Sequence, residues 1–84
     1  MTILDKVKYL WEQVPEKTIR RTEAVMQRHA LFAAAMHKGV SQHDLADITG
    51  FDRTNFYHPL KVHEGNILIP LYRDFYLNYN TKLE

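Results

Sequence analysis

Residues 41–61, SQHDLADITGFDRTNFYHPLK, constrain the chain more than any other stretch, because their caps and breakers leave room only for two short helices joined by a tight turn. Ser41 supplies an N-cap oxygen, and Asp44 completes a box-like arrangement that also favours the positive end of the helix dipole. A helix over 42–49 follows, with Leu45, Ala46 and Ile48 on or near its inner side. Gly50 has no Cβ and can take the left-handed conformation that stops it. Phe51 then plugs the turn from the inside, Asp52 caps a second helix over 53–64, and Phe56 and Leu60 point inward. Arg53, Thr54, Asn55, Tyr57, His58 and Lys61 remain on the outside or its margins. Pro59 is a local misfit: an interior proline removes a hydrogen bond and clashes with the carbonyl of Asn55, so the second helix should kink there or be effectively short.

Two helices that cross steeply need a small residue where they touch, a permissive one where the chain turns and a buried anchor beyond it. Ala46, Gly50 and Phe56 supply these in the order of a helix-turn-helix. The plainer alternative is a helical hairpin inside a small bundle.

The flanking sequence is helical too. Thr2 and Asp5 repeat the capping style of Ser41 and Asp44, and Ile3, Leu4, Val7, Leu10, Trp11 and Val14 recur at three- and four-residue intervals, which predicts an amphipathic helix over 3–14 ended by Pro15. From 18 to 38 no breaker interrupts a run of good helix formers, and Gly39 supplies the stop. Val25, Leu31, Phe32, Ala35 and Met36 form its expected inner face, where the alanines let a neighbour approach closely. Pro70 suits the first turn of a last helix over 70–80, whose Leu71, Tyr72, Phe75, Tyr76 and Tyr79 share a stripe better suited to a core than to base stacking. A short strand over 66–69, as in a winged helix, is the weaker alternative, since no partner run with a turn signal exists. The expected architecture is all-α: one domain over 1–84, a small bundle of about five helices containing a helix-turn-helix.

Composition narrows the function. There is no cysteine, hence no disulfide and no thiolate metal site, which fits an intracellular protein. The longest apolar runs, 30–36 and 67–71, fall far short of the ~20 residues that cross a bilayer, and no signal peptide opens the chain, so the expectation is a cytoplasmic protein with no membrane partner. Net charge is only +1, little for a nucleic-acid ligand, but the region from Lys17 to His63 carries +3 and all five histidines. Catalysis lacks its usual parts. No His pair at i, i+4 flanks a glutamate, and Ser41 with His43 reads as a cap beside an exposed side chain more readily than as a nucleophile with its base. No cofactor or metal is expected.

Residues 23–61, EAVMQRHALFAAAMHKGVSQHDLADITGFDRTNFYHPLK, resemble the C-terminal DNA-binding domain of the bacterial replication initiator DnaA. That family has a long helix carrying an arginine before an Ala-rich apolar run, then a helix-turn-helix whose second helix opens with a segment of the type Asp-His-Thr-Thr-Val. The corresponding stretch here begins Asp52, Arg53, Thr54, Asn55, Phe56. The likeness covers just under half the chain and implies a small helical module reading duplex DNA through the major groove. Arg53 stands for the family's histidine, Asn55 for its second threonine and Pro59 for an alanine; the turn is slightly shorter, closer to the repressor type, and no Walker A sequence is present.

If the motif binds double-stranded DNA, the start of the second helix enters the major groove. Arg53 would then take guanine O6 and N7, Asn55 adenine N6 and N7, and Thr54 a base edge, a thymine methyl or a phosphate. Arg28, Lys38, Gln42, His43, His58 and Lys61 are the expected phosphate contacts, which fix register without reading sequence. One module this small covers roughly 600–1,000 Å² of DNA, so useful specificity calls for a partner or a homodimer through the 3–14 or the 70–80 helix. The expected role is a small transcriptional or replication regulator. The competing expectation is a protein-binding adaptor that reuses the same fold, which near-neutral charge suits.

Overall fold

A computed structural model describes all 84 residues. Thr2 opens α1 (Ile3–Gln13) with a complete capping box, its hydroxyl taking the Asp5 N–H while the Asp5 carboxylate takes the Thr2 N–H. Val14 leaves the helix in extended conformation before Pro15, as the restriction ahead of a proline requires. α2 (Thr22–His37) is the central element: Leu31 through Ala35 are buried in succession, so every side of the helix is covered. α1 and α3 (Gln42–Thr49) pack together, α4 (Tyr57–Asn66) and α5 (Pro70–Lys82) lie along α2, and Lys6 of α1 donates to the Glu84 carbonyl just beyond α5 (2.6 Å). The aromatic stripe of α5 is core: Tyr72 and Tyr79 are buried, and Phe75 and Tyr76 pack against the same cluster. The fold is all-α with five α-helices and no strand; 67–69 is a turn closed by Leu68 N–H to Gly65 O and Ile69 N–H to Asn66 O. No helix is long and apolar enough to cross a membrane.

Three expectations need correction. The helix predicted from residue 18 starts at Thr22, and 15–21 form an irregular strap. Arg28 explains the difference: its guanidinium reaches back from α2 and donates to the carbonyls of Glu16 (2.8 Å) and Ile19 (2.7 Å). Ile19 is 49% exposed and lies outside the core cluster, so little burial would be gained by a helix there. The second correction is to the helix predicted over 53–64, which is divided into a 3₁₀ turn (Arg53–Phe56) followed by α4, which itself runs on to Asn66. Pro59 is the physical reason. In one continuous α-helix its ring would meet the Asn55 carbonyl, whereas with the break at Phe56 it occupies the first turn of α4, where its missing N–H costs nothing. The third follows from the second, because the change of register turns Pro59 inward and leaves Leu60, expected inside, 38% exposed.

Both predicted stops hold. Gly39 (φ 97°) ends the α2 segment and Gly50 (φ 78°) ends α3, each in the left-handed region. A Cβ at Gly50 would meet nothing within 4 Å, so Gly50→Ala adds backbone strain and no clash. The expected cost is about 1–2 kcal/mol, read as a lower midpoint in urea at unchanged slope.

Candidate functional site

The turn between α3 and α4 is held from inside by a chain of rings. Phe51 meets Trp11 edge-on at 5.4 Å, Trp11 meets Phe32 at 5.6 Å, and Phe32 meets Phe56 edge-on at 4.9 Å. Phe56 is fully buried, so the 3₁₀ turn is pinned to α2 while its other residues stay exposed.

Arg53, Thr54 and Asn55 all lie on that exposed turn, as their sequence position requires. Asp52 organises them. Its carboxylate accepts from the Thr54 N–H (3.0 Å) and the Thr54 hydroxyl (3.0 Å), and the Asn55 amide donates to the Asp52 carbonyl (3.2 Å). The Thr54 backbone and side-chain hydrogen bonds, with a smaller contribution from Arg53, hold the Asp52 carboxyl below its usual range. Arg53 makes no hydrogen bond or ion pair of its own, so its five donors face solvent.

The expected phosphate contacts separate. Lys61 is exposed and unpaired, and His43 is an exposed neighbour of Asp47 at 3.5 Å in the first turn of α3, next to half-buried Gln42. Lys38 sits at the C-cap of α2, 3.4 Å from the Glu84 carboxylate. Arg28 is committed to the strap by the two bonds described above and has only its remaining N–H groups to offer. His58 is exposed, with its ring 5.6 Å from that of His29 on α2.

Arg28 and Asn55 both line a cleft of about 410 Å³ between the strap, α2 and the 3₁₀ turn. Lys17, Thr18, Arg20 and His29 line it with them. A second hollow of about 310 Å³ shares Arg20, Val25 and His29 and extends to His58 and Val62 on α4. The sequence points to Arg28, Asn55 and His58, and less strongly to Arg20, but not to Lys17, Thr18 or His29. The available signal was the polar run KTIRRT, which lacks the apolar spacing of the helix it was assigned to.

A second group of titratable side chains joins α2, α4 and α5. His37 and His63 meet edge-on at 4.7 Å; His37 Nδ1 lies 2.8 Å from the Tyr76 hydroxyl and His63 Nδ1 2.6 Å from that of Tyr72. Burial, with Tyr76 nearby, pushes the Tyr72 hydroxyl up to about 12, so it keeps its proton and can donate to His63. Burial and His37 push His63 down. The two histidine pairs, 29–58 and 37–63, both bridge α2 and α4.

The chain matches no protein-family model, no curated protein sequence and no solved structure.

Proposed function

We propose that the α3–turn–α4 segment binds double-stranded DNA as a helix-turn-helix, with Arg53 the principal base contact and the protein acting as a small transcriptional or replication regulator. One observation carries the reading. Arg53 is an uncommitted guanidinium at the start of a turn that Phe56 anchors in the core, which is a rigid mount for a flexible donor fork. Thr54 and Asn55 are less free, since both are engaged with Asp52. Lys61 and His58 on α4 are suited to phosphates on one side of the groove, and Gln42 and His43 at the start of α3 to the other.

A protein-binding adaptor is the second reading, favoured by Tyr57 (56% exposed) and Leu60 (38%) on the same helix as the basic residues. Salt separates the two. Fluorescence anisotropy with a labelled random-sequence duplex at 50 and 200 mM salt should show affinity falling on the order of 10-fold for about two phosphates neutralised by lysine or arginine. Weak binding that ignores ionic strength would reject the DNA reading and leave the adaptor.

A further inference from the structure

We infer that the cleft between the 15–21 strap and α2 is a binding site for a phosphoryl group, held by Arg20, Thr18, His29 and the free N–H groups of Arg28.

The cleft's charge is one-sided. Lys17, Arg20 and Arg28 line it and no aspartate or glutamate does. The Glu16 carboxylate, whose charge reaches Arg28, does not line the cleft and is tied to Arg21 by an ion pair. Three positive charges converging on a concave surface, with no counter-charge in the wall, concentrate anions far better than the same charges on a convex one.

Lys17 and part of Arg28 build the wall: Lys17 Nζ donates to the Val14 carbonyl (2.8 Å) and stands 5.5 Å from the Trp11 ring, and one Arg28 nitrogen donates to two strap carbonyls. The groups they hold in place are unspent. Arg20, the Thr18 hydroxyl and His29 have no hydrogen-bond partner within the protein. A guanidinium fork, a hydroxyl and an imidazole directed into one hollow form a donor set matched to phosphate oxygens. Arg20 stands where the two hollows join, so a phosphoryl group bound there has the His58–Val62 hollow beside it for whatever it is attached to.

The phosphoryl group can come from a free phosphorylated small molecule or from the backbone of a duplex lying across Asn55. The inference stands apart from the DNA reading, because it uses neither Arg53 nor α3. Titration of the labelled protein with inorganic phosphate, followed by ¹H–¹⁵N NMR including Arg Nε signals, should give saturable shifts confined to residues 17–29 and 55. Sodium chloride at matched ionic strength should not reproduce them. Arg20→Ala, at an exposed side chain with no protein partner, should keep the dispersed spectrum of the folded protein and lose at least tenfold in phosphate affinity. Equal shifts with chloride, or unchanged affinity in Arg20→Ala, would overturn the site. A nucleoside monophosphate that binds at least tenfold tighter than phosphate and also shifts Val62 and His58 identifies the small-molecule source. One that binds no better, while a duplex displaces phosphate, identifies the nucleic-acid backbone. Phosphate binding that survives when no duplex binds would remove the DNA reading and leave this site standing.

Discussion

Phe56→Ala is expected to cost about 3–5 kcal/mol, the usual range for deleting a buried aromatic ring from a packed core. Phe56 has no exposed surface and its ring packs edge-on against Phe32, so alanine leaves a hole that the rigid ends of two helices close poorly. A small domain has only ~5–15 kcal/mol of stability in all, and each kcal/mol is worth roughly 4–8 °C in a domain of this size. Thermal unfolding followed by circular dichroism should therefore show a midpoint lowered by roughly 12–40 °C, and the urea midpoint should fall with it. Phe56→Leu, which keeps most of the volume, should lose much less. The loss also reaches the candidate site, because Phe56 is the only residue of the 3₁₀ turn that is buried. A small change in Phe56→Ala would show that the turn is held by the α3 and α4 caps instead of by the core.

Acid is expected to destabilise the fold well above the range in which carboxylates protonate. His29 is pushed down to about 4 from 6.5 by burial first, then by His58 and by Arg28. The folded protein thus holds the imidazole neutral, while the unfolded chain takes up a proton near 6.5. That contribution is complete above about pH 6.5 and is lost progressively as pH falls from there toward 4. With the ring partly exposed, solvent screening reduces the effect to about 1–2 kcal/mol. His63, depressed by burial and by His37, adds loss of the same sign in the same direction of pH. The urea midpoint should fall between pH 7.5 and pH 5 in the wild type and fall by less in His29→Gln. A midpoint that does not move across that interval would contradict the inward placement of His29.

Much of the fold could be read from residues whose effects are local. Ser41, Thr2 and Asp52 cap through atoms within three residues of themselves, and Gly50 stops α3 through its own backbone, so their neighbours in sequence sufficed. Phe56 is legible as the anchor because it is the first large apolar residue after the Asp52 cap. What escaped depends on contacts made at a distance. The strap is irregular because Arg28, on another element, takes its carbonyls; the polar run KTIRRT signals only that an apolar helix face is missing. The exchange of Leu60 for Pro59 on the inner side follows from a change of helix type at Phe56; Pro59 signals the break but not on which side of it the chain re-forms. The cleft escaped for the same reason, since its walls come from three separate elements.

The most direct test of the DNA reading is a selection of bound duplexes from a random pool, made with the wild type and with Arg53→Ala. The wild type should enrich a short motif containing guanine, and Arg53→Ala should relax that position at a loss of roughly 1–3 kcal/mol while remaining folded. No enriched motif from the wild type, or the same motif with equal strength from Arg53→Ala, would contradict it.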